Sequence, residues 1–517
     1  MAQLRSIATV GGLTGISRVL GFIRDILIAA ALGTGPLADA FFVAFRLPNL
    51  FRRLFGEGAF NAAFVPLFGR RLEQEGEAAA RLFAEQALSV LTAALLALSV
   101  LAMAFMPWVM LLLAPGFAET PEKFDLAVEL SRITFPYLLF MALTALLSGV
   151  LNSLNRFAAA AAAPILLNLF FIAALLAVVP FVERPGLVLA WTVAAAGCAQ
   201  FLLLIVAASR AGMALRLPRP RLNPAVRRLW RLMIPGLLSA GALQLNIMIG
   251  TIIASLQAGA VSYLYYADRV YQLPLGLIGI AIGIVLLPDL TRKLRAGAEA
   301  EAMTSLNRGL EIALLLTLPA AVALMVMPWP IVVTLFERGV FDRTASDATA
   351  AALAAYAAGL PAYVLVKVLQ PAFFAREDTV TPFKISLVSV AANIALSLAL
   401  FWPMGHVGLA IATALAAWIQ AGLLAWWLRR RGHVALDARL RRRLPRILLA
   451  SLVMGVLLWA GQGWLTGWFD GGLALQVAAL AILVGAGLAA YGGLALLLGA
   501  MTPADLRSLI GRRGLES

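Results

Sequence analysis

The chain has 517 residues, 62% of them hydrophobic and only 13% charged, against about 25% charged in an average soluble domain. No stretch between the apolar segments is long enough for a soluble domain of ordinary size, which excludes a soluble enzyme with a membrane anchor. The net charge of +15 is nearly all arginine, with four lysines (Lys123, Lys293, Lys367 and Lys384), and it sits in short loops between apolar runs, which points to membrane orientation and away from nucleic acid.

A helix needs about 20 apolar residues to cross the hydrocarbon core. On that length the chain reads as fourteen spans: 6–32, 36–55, 83–113, 125–152, 158–180, 186–209, 230–257, 262–288, 304–328, 346–370, 380–403, 406–428, 445–466 and 473–500. The first run is read as a retained helix and not a signal peptide. Segments 83–113 and 125–152 are long and are expected to tilt or project from the bilayer. Basic residues follow every second span, among them Arg70 and Arg71, Arg156, Arg292 and Lys293, and the run Arg439–Arg443. The intervening loops carry little positive charge, so both termini are expected on the cytoplasmic side.

The first hairpin, Ser17–Glu57, is the anomaly. It carries Arg18, Arg24, Asp25, Asp39, Arg46, Arg52, Arg53 and Glu57 inside or beside its apolar runs. A charge at the centre of a membrane helix costs about 2.5–3.5 kcal/mol on insertion scales. Seven residues make almost two helical turns, so Arg18 shares a face with Asp25, and Ser17 with Arg24. Gly21 lies between them and allows a bend or a close approach. Asp39, Arg46 and Arg53 also repeat at sevens until Pro48 interrupts the ladder. Gly33-Thr34-Gly35-Pro36 reads as a turn and not a nucleotide loop.

The linker Arg210–Arg231 is basic and rich in proline, and it ends in a candidate interfacial anchor for an anionic leaflet. It divides two halves that share a pattern. Leu47-Pro48, Val65-Pro66 and Arg70-Arg71 in one match Leu273-Pro274, Leu287-Pro288 and Arg292-Lys293 in the other. The expected fold is therefore an all-α polytopic membrane protein of about fourteen transmembrane helices. It contains two six-helix bundles related by a pseudo-twofold axis along the membrane normal, plus two extra C-terminal helices. The expected divisions are an N-terminal bundle at 1–209, a basic linker at 210–229, a C-terminal bundle at 230–431, and helices 13–14 with a cytoplasmic tail at 432–517.

The second half adds Asp268 and Arg269, Lys367, and a stripe of Tyr356, Tyr363 and Gln370 at seven-residue spacing. Internal ion pairing explains part of this set, notably Asp268 beside Arg269 and Glu57 one turn from Arg53. It does not explain the excess of cations over acids. Unpaired buried arginine is expensive, so the surplus argues for an anionic ligand or a wet cavity. The planar fork of arginine suits phosphate oxygens. Cys198, His406 and His433 are separated and make no metal ligand set, and no cofactor is expected. No Walker lysine motif is present, so ATP is not the expected power source.

SRVLGFIRD at 17–25 and DAFFVAFRLPNLFRRLFGEGAFNAAFVP at 39–66 resemble the start of the bacterial lipid II flippase family (MurJ/MviN), in the multidrug/oligosaccharidyl-lipid/polysaccharide exporter superfamily. APGF at 114–117, TFPY at 134–137, LNSLNRF at 151–157, YYADR at 265–269 and VKVL at 366–369 match as well, so the resemblance covers nearly the whole chain. It implies export of lipid-linked peptidoglycan precursor across the bacterial cytoplasmic membrane by alternating access, for cell wall synthesis. It also implies a cationic cavity lined by spans 1, 2, 7 and 8, and a groove on spans 13 and 14 for the polyprenyl tail. Carried over residue by residue, substrate binding falls to Arg18, Arg24, Arg52, Arg269, Ser17, Asn49 and Lys367. Gating or ion pairing falls to Asp25, Asp39, Glu57, Asp268, Arg46 and Arg53. Lipid II, an anionic cytoplasmic leaflet and wall-synthesis proteins are the expected partners. Gly250 stands where some members place an acidic sodium ligand, so membrane potential or another ion gradient is the expected drive. Three rival functions stay open: export of another lipid-linked oligosaccharide, drug/cation antiport, and a non-transporting scaffold.

Overall fold

The computed structural model describes residues 2–56 and 59–505. Glu57 lies outside the described residues, and so do the side chains of Arg52 and Arg53. The protein is built from helices, with no strand among the described residues. Packing divides it into two compact units, residues 1–262 with 338–341, and residues 263–337 with 342–517.

The first unit contains α1 (Ala2–Leu32), α2 (Pro36–Gly56), α3 (Ala59–Gln74), α4 (Glu77–Ala104), α5 (Met106–Leu113), α6 (Pro121–Thr134), α7 (Tyr137–Ser153), α8 (Ala158–Ala177), α9 (Pro185–Arg210) and α10 (Pro224–Ala254). Helix α11 (Ala260–Arg295) begins at its edge and continues into the second unit. There follow α12 (Glu299–Val326), α13 (Pro328–Phe336), α14 (Arg343–Ala357), α15 (Leu360–Phe374), α16 (Val380–Arg430), α17 (Ala438–Trp464), α18 (Thr466–Phe469) and α19 (Leu473–Leu497). Nine segments among the described residues are long and apolar enough to cross a membrane. They include α4, α8, α9, α12, α16, α17, α19 and the pairs α6–α7 and α14–α15.

Proline and glycine decide where the long apolar runs break. The segment expected as one span over 125–152 is two helices, parted at Phe135 and Pro136, because proline has no N–H for the ladder. Over 83–113 the break falls at Phe105, next to Pro107. Helix α16 runs for 51 residues, and Gly405 inside it has φ 57° and ψ −138°. That left-handed conformation suits glycine alone, and it separates the two spans expected at 380–403 and 406–428. Gly33, between α1 and α2, has φ 61°, and a Cβ there would lie 2.6 Å from the Val340 carbonyl oxygen. The expected turn is therefore present and admits no larger residue.

Two helices in each unit end with the same device. Asn155 (φ 58°) follows α7, and Glu377 (φ 62°) follows α15. The next N–H closes back on the helix both times, Arg156 to Leu151 at 2.8 Å and Asp378 to Phe373 at 3.1 Å. Gly212 after α9 and Gly432 after α16 close the same way, through Met213 to Ala208 and His433 to Leu428, each at 2.9 Å. These are left-handed caps that satisfy orphan carbonyls. In the second unit Asp378 also accepts from Arg431 at 2.6 Å and from the Thr381 N–H at 2.9 Å. Burial raises its pKa, but these hydrogen bonds outweigh that and hold the carboxyl down at about 2.

In lipid the helices gain little from hydrophobic transfer, so close packing and polar contacts hold them together. The first unit packs rings: Phe60, Phe64, Phe68 and Phe83 stack with centroids 5.2–5.6 Å apart. The second is aliphatic, with Leu306, Leu310, Ala313, Val364, Val368 and Leu424 at its centre. Helix α17 docks on α12 through charge. Glu311, 4% exposed, accepts from Arg308, Arg443 and Arg439, the last at 3.1 Å. Asp505 closes the cluster on Arg443 at 2.9 Å.

Glu311→Ala leaves the buried Arg443 short of its main counter-charge, so a loss of about 3–5 kcal/mol is expected. It should show as a large drop in thermal midpoint of the detergent-purified protein. Asp505→Ala removes a more exposed carboxylate and should lower the midpoint by much less; equal drops would show that Glu311 does not hold the cluster.

Candidate functional site

The described charges of the first hairpin fall into two groups, those already partnered within the first unit and those left exposed. Asp39, in the first turn of α2, is fully buried. Lys123 reaches it at 2.7 Å. The N–H groups of Gly259 and Ser262 donate to it at 2.9 Å each, and the Ser262 hydroxyl at 2.7 Å. A carboxylate is thus set on the N-terminus of α11, where unpaired N–H groups and the helix dipole favour negative charge. Lys123 is 7% exposed and lies 4.0 Å from the centre of the Phe117 ring, a cation–π contact that eases its desolvation.

One helix over, Arg24 is buried against α8. Its Nε and Nη2 donate to one oxygen of Asp25 at 3.1 and 2.8 Å. Its Nη1 donates to Oδ1 of Asn168 at 3.0 Å. The guanidinium carbon lies 5.5 Å from the Phe171 ring centre and 6.0 Å from that of Phe45. Asn168 also donates to the Ser17 carbonyl at 2.8 Å. The seven-residue spacing therefore did place Ser17 and Arg24 on one face, with Asn168 bridging them. Arg46 donates to Thr251 at 2.5 Å. Asn49 turns its amide back to the Phe45 carbonyl at 2.9 Å. Pro48 leaves the Ala44 carbonyl without its helical donor, and the Thr134 hydroxyl supplies one at 3.0 Å.

In the second unit Asp268 accepts from Gln272 on the next turn. The Arg269 guanidinium carbon lies 4.7 Å from the Tyr265 ring centre. Tyr271 stacks on Tyr356 with centroids 5.5 Å apart, and Tyr363 lies 5.7 Å away. The expected stripe crosses the break between α14 and α15, and Tyr271 gathers its two tyrosines. Lys367 lies with its aliphatic stem near Gly279, where a Cβ would be 3.6 Å away.

Arg18 and Lys367 differ from the rest. Both are exposed, and among the described residues neither has an ion-pair or hydrogen-bond partner. Four contributors were missed in the sequence: Lys123, Asn168, Thr251 and Ser262. Lys123 was visible as one of only four lysines, but it precedes its span and looked like a loop charge. Asp39 pairs with Lys123 and a helix start. Counting Lys123 enlarges the cationic surplus. No group of three or more metal-ligating side chains occurs among the described residues.

Asp39→Asn leaves Lys123 charged and buried with no counter-charge, an expected loss of about 3–5 kcal/mol. Pairing it with Lys123→Met should restore more than half of the lost thermal midpoint. Additive losses in that double-mutant cycle would show that the two are not coupled.

The family model described as lipid II flippase MurJ matches residues 28–479. A probable lipid II flippase of Rhizobium tropici is 47% identical over 90% of this chain and 88% of its own. One of Rhizobium meliloti is 46% identical over 99% and 97%, and a lipid II flippase of Burkholderia cenocepacia is 39% identical over 89% and 90%. Among solved structures, a lipid II flippase in an inward closed conformation aligns with a TM-score of 0.78 at 24% identity, over 97% of this chain and 99% of that one. An inward-facing multidrug resistance transporter of the MATE family, in the MOP superfamily, aligns at 0.65 and 15% identity, over 80% and 94%.

Proposed function

The chain belongs to the lipid II flippase family MurJ, and from that premise we propose that it carries lipid II across the bacterial cytoplasmic membrane by alternating access. The cargo is a polyprenyl pyrophosphate bearing a glycopeptide, moved from the inner to the outer leaflet for wall synthesis. The observation that carries this reading is the partition of charge. The acids of α1 and α2 are occupied by Arg24, Lys123 and a helix start, while Arg18 and Lys367 stay exposed and unpaired among the described residues. Surplus cations with no protein acid to meet them suit an anionic ligand.

Arg18 and Lys367, each exposed on its own unit, are candidate groups for the pyrophosphate in this reading. Arg24 joins when its fork leaves Asp25 and Asn168, and Arg269 turns from the Tyr265 face. The work is binding and reorientation, with no bond made or broken and no cofactor. Membrane potential or an ion gradient supplies the drive, since one charge moved through 100 mV is worth about 2.3 kcal/mol. Support for fourteen spans comes from the nine apolar segments, the break of α16 at Gly405, and the helices α1, α2, α10 and α11. The matching caps after α7 and α15, and after α9 and α16, support two repeated halves. The basic loops support a cytoplasmic position for both termini. A drug/cation antiporter of the same fold would want an apolar or acidic lining, which these residues do not offer.

The test is lipid II translocation by the purified protein in proteoliposomes, with potential and ion gradients varied. Arg24→Ala, Arg18→Ala and Lys367→Ala should each slow it by about tenfold or more, the value of one hydrogen bond to a charged phosphate. Normal translocation by Arg24→Ala sinks the role given to that residue. Export of organic cations with no movement of lipid II sinks the function.

A further inference from the structure

Asn168 carries no charge, and no spacing rule singles it out, yet it is 4% exposed at the crossing of α8 and α1. Its amide meets two groups that each have one role. An arginine can only donate, and Arg24 Nη1 takes Oδ1 at 3.0 Å; a carbonyl can only accept, and Ser17 takes Nδ2–H at 2.8 Å. The amide therefore has one orientation, and a carboxylate, a methyl group or a longer side chain cannot serve both partners. Phe171 lies three residues on, so α8 presents an amide and a ring to the same guanidinium. Helices α1 and α8 pack closely here, since a Cβ at Gly21 would sit in van der Waals contact with the Asn168 amide at 3.6 Å.

The two acceptors of Arg24 are unequal. Asp25 offers a charge to Nε and Nη2. Asn168 offers a neutral oxygen to Nη1, and a neutral oxygen attracts the guanidinium charge less than an anionic one does. A phosphate oxygen therefore outbids Asn168 for that nitrogen. A second carboxylate in its place would not be outbid.

We propose that Asn168 is a positioning residue that parks Arg24 against Asp25 and yields it to a phosphate group. This rests on the assignment of Arg24 to the pyrophosphate of the cargo. A charged acceptor at position 168 turns the parking place into a trap, and an absent one leaves Arg24 freer to reach the ligand. A purely structural asparagine predicts neither, because both changes would then weaken binding in step with stability.

The experiment measures equilibrium binding of a polyprenyl pyrophosphate to the full chain in phosphatidylcholine nanodiscs, with thermal midpoints recorded alongside. Asn168→Asp should weaken binding about tenfold. Asn168→Ala should tighten it about two- to fivefold despite a lower midpoint. Moving the charge, with Asp25→Asn added to Asn168→Asp, should return affinity to within about threefold of the natural protein. Weakened binding in both single variants, or no recovery on moving the charge, overturns the proposal. Should Asn168→Asp fail to fold, the direction of the Asn168→Ala change decides. Failure of the natural protein to bind the probe overturns the functional reading, and this inference with it.

Discussion

A charge inside a membrane span has to be met, and in this protein that demand shapes the first unit more than any apolar contact does. Asp39 is met four times, by an ammonium, two backbone N–H groups and a hydroxyl. Arg24 is met by a carboxylate, an amide and two rings. Each arrangement draws on elements far apart in sequence, so meeting the charges also sets how α1, α2, α6, α8 and the start of α11 pack. The desolvation of an unpaired ion would run to several kcal/mol, more than the typical 0.6 kcal/mol of a polar contact between membrane helices. The charges are therefore a constraint on the packing of the unit and not an addition to it.

The pattern of spans was legible because it rests on local chemistry. Apolar length marks the helices, and Gly33 and Gly35 mark a turn, each within a few residues of its cause. Breaks inside the spans were harder to see. Pro136 and Pro361 split segments whose composition reads as continuous, whereas Pro164, Pro319 and Pro445 sit inside unbroken helices. A proline interrupts the ladder, but whether the helix ends there depends on what else can satisfy the freed carbonyl, as Thr134 does below Pro48. That donor is 90 residues away in the chain, and no local pattern announces it.

The identity of charge partners was legible only where they are neighbours. Arg24 and Asp25 stand side by side and pair. Lys123 is separated from Asp39 by 84 residues, and Asn168 from Arg24 by 144. Seven-residue spacing within one helix states which side chains share a face, but not which helix that face meets. For Arg18 and Asp25 the shared face did not produce a pair, because Arg24 lies adjacent to Asp25 and takes it. Glu311 was overlooked for a related reason: its three arginines come from two helices, and one charge in a long apolar span draws little notice.

The two units use the same caps with different chemistry, and that difference bears on transport. After α15 the left-handed residue is followed by Asp378, which caps the next helix and holds Arg431. After α7 the corresponding position is Arg156, which is exposed. The backbone device is kept while the charge on it is reversed. Within the described spans, the first unit couples Arg24 and Lys123 to acids and leaves Arg18 exposed, and the second couples Arg443 to Glu311, sets Arg269 against a tyrosine and leaves Lys367 exposed. A cation set on a ring gains about 0.5–2 kcal/mol from that contact. A carrier has to bind its cargo and release it. In the proposed mechanism, cations that also meet neutral or aromatic partners suit both demands, since such a partner can be exchanged for a phosphate and recovered afterwards without leaving an ion bare in lipid.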